Sequence, residues 1–414
     1  MTKEQIKSII RDKMASKRII LFGAGVVAEE FYEEYKDELN ISHCVSNMKS
    51  EWGEKALLGE IDVCKYRKED ITQNDYLIVC GPFAFRTIEL QLYADGLKMY
   101  ENFVESSIAK AVFSGKKIAL FYGQCVLRDI YKCIVQVPAF TEEYSSVFTQ
   151  TNKGQSVVIN RLLYHMKDIC DLYVYTPKVL DRDSVYSLGK NDFNDECKVI
   201  SLSNIVVSLY WPEIEMDSSI YNEWYLHPYN SPRDLDFYHT LYRRADLNIN
   251  KMILNGDSTK KILEILSDDN FYSEKEVTRN ARIALRSVDI AERKIDITIG
   301  DYIKENYAKK MLYQNLVHAT KYIIWEYVRR LLAKLEISRE EVLILEQQSP
   351  MHIHEGGDVP IYPSVVKSLK LEFVNESYRY EVITGRGIQY MTFREYMEHY
   401  IEYTRKAMKI KTMW

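Results

Sequence analysis

The stretch RIILFGAGVVA, residues 18–28, decides the fold of the first part of the chain. Residues 18–22 form an apolar run that is long enough for a buried strand, and residues 29–35 continue with helical spacing. A strand, a glycine turn and a helix in this order open a βαβ unit. Gly23, Gly25 and Ala28 match the GxGxxG/A pattern, in which glycines let the backbone approach a pyrophosphate at the positive end of a helix. These three residues are therefore candidate ligand-binding residues.

The residues after this turn continue the alternation of strands and helices. Apolar runs at 41–45, 61–64 and 76–80 predict strands, and residues 85–95 have helical spacing. Such alternation predicts a parallel sheet covered by helices. A dinucleotide site also needs an acidic residue after the second strand, where this chain has the uncharged Asn47. The turn therefore fits NAD binding, nucleotide-sugar binding or a purely structural role, and the sequence leaves these three alternatives open.

The strand–turn–helix pattern starts again at residue 117. Residues 118–121 predict a strand, Gly123 and Cys125 lie in the turn, and residues 126–135 predict a helix. Beyond about residue 235 helical spacing dominates the chain. We therefore predict an α/β protein with two domains: a Rossmann-like parallel-sheet domain over residues 1–113, and a second α/β domain over 114–414 that becomes mostly helical toward the C-terminus.

The composition excludes several classes of protein. Hydrophobic residues make up 46% of the 414 and charged residues 28%, as in an ordinary globular protein. Lys and Arg number 55 against 60 Asp and Glu, so the net charge of −5 disfavours a nucleic-acid binder. No run of about 18 apolar residues predicts a spanning helix, and the charged N-terminus lacks the features of a secretory signal. We expect a cytoplasmic protein.

The cysteines support the same compartment and supply one candidate nucleophile. The chain has 7 cysteines, without a CxxC pair or zinc-ligand spacing, which is typical of a reducing environment. Cys125 follows a predicted parallel strand and begins a helix, where the helix dipole favours a thiolate. In open α/β sheets, ligands bind at the carboxyl ends of the strands. The alternative for Cys125 is a small buried residue in a tight turn.

Three segments resemble a known family. Residues 117–125, KIALFYGQC, resemble the start of the WcbI-like capsular polysaccharide biosynthesis proteins, which open with a strand and a Gly-Asn-Cys-Gln-like turn. Gly123 and Cys125 match this turn, Gln124 stands in for Asn, and Val126 departs from the final Gln. Residues 315–319, NLVHA, resemble the family's His-Pro segment before a long helix, and residues 349–363 resemble its late loop. The first hundred residues resemble the small Rossmann-like domains attached to bacterial glycan-assembly enzymes.

The resemblance implies a bacterial coenzyme-A-binding protein that transfers an acyl group, with acetyl favoured, to a sugar hydroxyl in capsule or surface polysaccharide synthesis. Such O-acetyl transfer needs a base, oxyanion donors and a coenzyme A site. His318, at the start of a helix, and His227, in an aromatic loop, are the candidate bases beside Cys125. Cys125 acts either as an acyl-carrying nucleophile or as part of a binding turn. The remaining candidate cofactor-binding residues are the turn residues Gly123 and Gln124 and the cations Arg128 and Lys132, which suit the phosphates of coenzyme A.

Two other functions fit the same residues. A nucleophile at a strand end with a distant histidine is also the layout of SGNH-like ester hydrolases acting on acylated glycans. A non-catalytic module that binds a nucleotide-sugar or a partner is the second alternative. His352 and His354 lie near Glu355 and Asp358, but without a recognisable distant ligand we predict no metal site. We expect a sugar or glycan substrate, no nucleic acid, and either a homo-oligomer or association with glycan-assembly enzymes.

Overall fold

The chain forms two compact units, Met1–Leu202 and Ser203–Trp414. The computed structural model describes residues 1–47, 57–81, 84–150, 156–177, 192–193, 195–203, 208–212, 214–215, 245–354, 357–384 and 387–411. Within these residues, no helix is both long enough and apolar enough to cross a membrane.

Unit 1 begins with a six-stranded sheet in the order β3-β4-β2-β1-β5-β6. All neighbouring strands are parallel except β3, which pairs antiparallel with β4 at the sheet edge. The order reverses at β1, as in a Rossmann half. The strands are β1 (Arg18–Phe22), β2 (Ile41–Ser46), β3 (Leu57–Leu58), β4 (Ile61–Lys65), β5 (Asp75–Val79) and β6 (Phe103–Glu105), and the α-helices of this part are α1 (Lys3–Ser16), α2 (Val26–Tyr35), α3 (Phe85–Ala94) and α4 (Ser106–Phe113).

Local chemistry sets the ends of these elements. Thr2 and Gln5 form a capping box at the start of α1. Glu105 is fully buried and accepts hydrogen bonds from the amides of Ser107 and Ile108, which caps α4. Strand β5 is buried along its whole length, as expected of a central parallel strand with helices on both faces.

A second sheet of unit 1 has four parallel strands in the order β10-β9-β7-β8. This is the flavodoxin-like order, whose reversal lies between the first and third strands, β7 and β9. The elements are β7 (Lys117–Gly123), α5 (Cys125–Ile134), α6 (Pro138–Glu143), β8 (Tyr144–Gln150), α7 (Ser156–Met166), β9 (Leu172–Tyr175) and β10 (Lys198–Ser201).

The two sheets of unit 1 share one hydrophobic core, which includes Ile19 and Leu77 of the first sheet and Leu120 and Tyr173 of the second. Partly buried ionic contacts also join them. The carboxylate of Asp171, just before β9, accepts from Lys3 Nζ at 2.7 Å and Lys7 Nζ at 2.9 Å, and both lysines belong to α1. The predicted domain boundary at 113/114 falls between the two sheets and inside unit 1, and it stays a prediction.

Unit 2 is mostly helical in its described residues. A short antiparallel pair, β11 (Ile214–Glu215) and β12 (Ala245–Asp246), precedes most of the helices, and a hairpin of β13 (Tyr380–Thr384) and β14 (Gly387–Met391) precedes the last one. The helices are α8 (Leu247–Leu254), α9 (Thr259–Leu266), α10 (Glu274–Ala291), α11 (Gly300–Asn306), α12 (Lys321–Leu335), α13 (Val342–Gln348), α14 (Pro363–Leu369) and α15 (Phe393–Lys411).

The predicted fold class is confirmed. A Rossmann-like parallel sheet is followed by a second α/β region, and the chain then becomes mostly helical. Seven strands were absent from the sequence-based prediction: β3, β6, β8, β11, β12, β13 and β14. Helical spacing also predicts a helix over residues 236–246. Most of these residues lie outside the described ones, and the last two form β12.

Candidate functional site

Cys125 lies at the reversal point of the second sheet. Strand β7 ends at Gly123, and Cys125 is the first residue of α5, so the turn stands at the carboxyl end of the strand where the sheet order reverses. This edge is where ligands bind in doubly wound folds. Gln124 is the N-cap residue of α5, and its side chain makes no capping hydrogen bond. The first amides of α5 therefore lack a side-chain cap, and the dipole of the helix favours an anion beside them.

Gly123 is required by the packing of this turn. The amide of Thr176, directly after β9, donates to the carbonyl of Tyr122 at 3.3 Å and holds Thr176 against the end of β7. A Cβ at Gly123 would lie 2.5 Å from Thr176 Oγ1 and 2.7 Å from Leu127 Cδ2. No side chain fits at these distances, so the sequence places glycine where the end of β7 packs against Thr176 and Leu127.

Exposure distinguishes Cys125 from most of the other cysteines. Five of the 7 cysteines are buried, and only Cys64 and Cys125 are partly exposed. Burial raises the pKa of Cys44 and of Cys133 to about 12, which keeps both as thiols. Reactive cysteines are partly exposed, and Cys125 alone combines partial exposure with a helix N-terminus.

The two predicted phosphate-binding cations lie on α5, one turn apart. Arg128 is partly exposed, and its Nε lies 3.6 Å from Oδ1 of the buried Asp129. Lys132 is exposed. The apolar residues of α5, among them Leu127 and Ile130, are buried. The buried apolar face holds α5 against the protein, and Arg128 and Lys132 remain accessible on the helix surface.

The glycine turn of the first sheet belongs to a different sheet edge. Gly23 has φ of +118°, and a Cβ there would lie 3.0 Å from the carbonyl oxygen of Cys80, so packing of β1 against β5 already requires glycine. Gly25 is the N-cap residue of α2, and a Cβ added there would meet no atom within 4 Å. Ala28 is fully buried. Asn47, at the predicted ribose position, donates through Nδ2 to Gln91 Oε1 at 2.8 Å. NAD or nucleotide-sugar binding at this edge stays a prediction.

Two segments of unit 2 that the sequence singled out are joined to each other. The side chain of Asn315 accepts hydrogen bonds from the amides of Val317 and His318, which folds residues 315–318 into a tight turn. The amide of Lys321 donates to Met351 O, and that of Val359 donates to Gln314 O. The late loop is thus held at both ends against the turn that carries His318.

This pairing brings histidines together. The rings of His318 and His354 stack with centroids 3.6 Å apart and planes 23° apart. The side chain of His352 is 8% exposed, and its Nε2 lies 3.2 Å from Asp358 Oδ1. Burial lowers the pKa of His352, but the hydrogen bond to Asp358 and the charges of Asp358 and Glu381 outweigh it, so the net pKa is raised.

Asp358 is held by the strand β13. Its Oδ2 accepts from the amide of Glu381 at 2.8 Å, and its own amide donates to Glu381 O at 2.7 Å. The sequence drew attention to His352, His354 and Asp358 as a group of titratable residues, but it did not reveal the stacking of His354 on His318. The other predicted base, His227, lies outside the described residues.

The fold and the turn define an α/β protein with a cysteine at the reversal point of a doubly wound sheet. Residues 170–340 match the family model described as "Polysaccharide biosynthesis enzyme WcbI". This match includes the His318 segment and begins after the Cys125 turn. The predicted resemblance to the WcbI-like family is confirmed for residues 170–340.

A solved structure of WcbI shares this fold. It is described as a novel polysaccharide biosynthesis enzyme, in its native form without a disulfide bond between coenzyme A and a cysteine. The likeness has a TM-score of 0.53 at 16% sequence identity, and it covers 70% of this chain and 90% of that chain. No match was found among curated proteins.

Proposed function

We propose that this protein binds coenzyme A at the turn 123–125 and transfers an acyl group, here taken as acetyl, from it to a sugar hydroxyl of a surface polysaccharide. The observation that carries the proposal is the position of Cys125 at the reversal point of the second sheet, beside the uncapped start of α5. The WcbI structure supports it, since its description couples coenzyme A with a cysteine.

The proposed cofactor site uses groups of unit 1. Coenzyme A carries phosphates and a thiol at opposite ends. The amides at the start of α5 suit the oxyanion that forms when the thioester is attacked. Arg128 and Lys132 supply positive charge for the phosphates. When bound, acetyl-coenzyme A supplies the activated acyl group.

The proposed base is a histidine, and His318 is the described candidate. Its backbone is fixed by Asn315 and Gln314, and its ring is fixed by stacking on His354. A base held in one orientation accepts the proton of a sugar hydroxyl without a cost in side-chain entropy at the moment of reaction. His227 stays the second predicted candidate.

A thermal-shift panel tests the cofactor. We expect coenzyme A and acetyl-coenzyme A to raise the melting temperature of the full chain, with no rise from NAD or from nucleotide-sugars. Cys125→Ala is expected to reduce the rise, whereas Cys133→Ala, eight residues further along the same helix, is the control that keeps it. Stabilisation by NAD alone would contradict the proposal.

A second assay separates transfer from hydrolysis. With acetyl-coenzyme A and a sugar acceptor, we expect His318→Ala to lower kcat by at least about 100-fold, the usual contribution of a general base, while the thermal shift by coenzyme A is kept. Hydrolysis of a model ester in the absence of coenzyme A would identify an ester hydrolase instead. A chain that neither binds coenzyme A nor cleaves the ester would be a binding module.

A further inference from the structure

Helix α10 carries a row of cations on one face. Lys275, Arg279, Arg282 and Arg286 follow one another at spacings of four, three and four residues, which places them on one side of a helix. All four are exposed, while Val277, Ala281, Ala284 and Val288 on the opposite side are buried. Within the described residues, none of these four side chains forms an ion pair. The row therefore presents uncompensated positive charge on a protein whose net charge is −5.

A groove of about 580 Å³ runs beside this row, between α10 and the end of α14. Arg282 and Arg286 line one wall and Lys370 lines the other, and Lys370 likewise has no ion pair among the described residues. Two acidic residues also face the groove, Glu274 and Asp289. Asp289 is already paired, with Lys304 Nζ 2.5 Å away, and Glu274 lies in the first turn of α10, where the dipole stabilises an acid. The three cations are thus left to an outside anion.

The remaining lining of the groove suits a sugar ring. The half-buried Tyr307 lines it together with Thr278, Leu285 and Ser368. An aromatic ring packs against the apolar face of a pyranose, and hydroxyl groups exchange hydrogen bonds with sugar hydroxyls. Neutral contacts of this kind beside three cations favour a ligand that is both sugar-like and negatively charged.

The length of the row favours a chain over a single anion. Lys275 and Arg286 are eleven positions apart, which is about 16 Å along the helix axis. A lone phosphate would occupy only one or two guanidinium groups, whereas successive carboxylates along a polysaccharide would meet the row one after another.

We infer that the groove between α10 and α14 binds an anionic polysaccharide, whose carboxylates pair with Arg282, Arg286 and Lys370 and whose rings pack on Tyr307. The inference names the class of glycan for the proposed transferase and rests on that proposal only for its biological role. Binding at the groove itself requires neither coenzyme A nor Cys125.

Calorimetry on the full chain tests this site with defined probes: an oligouronate, a neutral dextran oligosaccharide of equal length, inorganic pyrophosphate and a short single-stranded DNA. We expect the oligouronate to bind and the dextran not to bind, with affinity falling as salt is raised because exposed charges are screened. Arg282→Glu together with Arg286→Glu should lower the affinity for the oligouronate at least 10-fold. Tyr307→Ala should lower this affinity several-fold, with little change in its salt dependence.

A matched control changes the same net charge elsewhere. Arg339 and Arg394 are exposed arginines outside the groove, and Arg339→Glu with Arg394→Glu should leave the affinity within 2-fold. The milder pair Arg282→Gln and Arg286→Gln, checked for an unchanged melting temperature, keeps the test valid if the charge reversal disturbs folding. The inference would be overturned if both pairs of charge reversals weakened the affinity for the oligouronate equally. It would also be overturned if dextran bound as tightly as the oligouronate, or if pyrophosphate or DNA bound more tightly.

The result is independent of the cofactor test. The Arg282/Arg286 variants should keep the thermal shift by coenzyme A, and Cys125→Ala should keep the oligouronate affinity. Loss of glycan binding alone therefore concerns the groove, and loss of the coenzyme A response alone concerns the proposed transferase.

Discussion

At the scale of single residues, two glycines that look alike in the sequence have different surroundings. Gly123 ends β7 under close contact with Thr176 and Leu127, while an added Cβ at Gly25 would meet no atom within 4 Å. Gly25 has φ of −100°, which any residue adopts. Packing therefore requires glycine at the Cys125 turn, whereas the second glycine of the GxGxxA pattern stands beside open space.

We expect Gly123→Ala to lower the free energy of unfolding by about 1–3 kcal/mol, the usual cost of forcing an extra carbon into a packed site. Urea unfolding measures the loss. The clash also moves the start of α5, so the melting-temperature rise with coenzyme A should shrink in this variant. Gly25→Ala is the matched control, and it should cost less than about 1 kcal/mol because only the N-cap preference changes. Equal losses in the two variants would show that the contacts at Gly123 do not limit stability.

The sequence was informative about Cys125 because its signal is local. A short apolar run, a glycine and a helix adjoin one another between residues 117 and 135, and the structure has this order. The stacking of His354 on His318 depends on backbone hydrogen bonds across 30 to 45 residues, such as that from Lys321 N to Met351 O. Such contacts leave no periodic signal, so only the histidines themselves could be named in advance.

At the scale of elements, the late loop of unit 2 is fixed by one carboxylate. Asp358 contacts His352 through one oxygen and the amide of Glu381 through the other, so it ties the loop to β13. The hairpin that supplies Glu381 was missed in the sequence, because a five-residue strand with one exposed partner gives only weak alternation. Parallel strands buried on both faces, such as β5, were recognised as continuous apolar runs.

The Asp358–His352 pair predicts a pH-dependent stability. The pKa of His352 is raised in the folded state, so the pair's contribution is fully present below the ordinary histidine value of 6.5 and is lost as pH rises through the folded pKa. We expect Asp358→Asn to destabilise the protein more at pH 5.5 than at pH 8.5, as measured by urea unfolding at both values. Asn keeps an oxygen for the amide of Glu381, so the backbone tie is preserved.

The control for this prediction is His352→Gln, which removes the titrating group. Its stability relative to wild type should follow the same trend with pH, and Asp358→Asn in the His352→Gln background should show no trend. If Asp358→Asn lowered the free energy of unfolding by the same amount at pH 5.5 and at pH 8.5, Asp358 would act only through the amide of Glu381.

At the scale of the whole molecule, the compact units divide at residue 202, and the sequence pattern suggested a division at 113. The restart of the strand–turn–helix pattern at residue 117 marks a new sheet, which is a genuine feature of the chain. The contacts that join the two sheets into unit 1 come from residues far apart, such as Lys3 with Asp171 and Glu89 with Arg161. Composition and periodicity do not reveal such long-range pairs. The sequence therefore predicts each sheet, but not the packing of the two sheets into one unit.

The buried carboxylate of Glu89 allows a test of the contacts that join the two sheets. It lies on α3 of the first sheet region and accepts two hydrogen bonds from Arg161 of α7, each at 2.8 Å, and it lies 2.6 Å from His165 Nε2. Burial by itself raises the pKa of Glu89. The hydrogen bonds and charges of His165 and Arg161 outweigh this effect and lower the pKa to about 2. A depressed pKa means that the ionised pair stabilises the fold above pH 4.5, and that this stability is lost as pH falls toward about 2.

We expect Glu89→Gln to lower the free energy of unfolding by about 3 kcal/mol at pH 7, because the substitution removes a fully buried carboxylate and leaves the buried His165 and the partly exposed Arg161 without their ionic partner. The difference from wild type should be constant between pH 7 and pH 5 and should narrow below pH 4.5. Glu34→Gln is the matched control: Glu34 Oε2 lies 2.5 Å from Lys110 Nζ, but its side chain is half exposed, so the loss should stay under about 1 kcal/mol. If the two substitutions cost the same, the buried ion contacts do not hold the sheets together, and the shared apolar core alone accounts for unit 1.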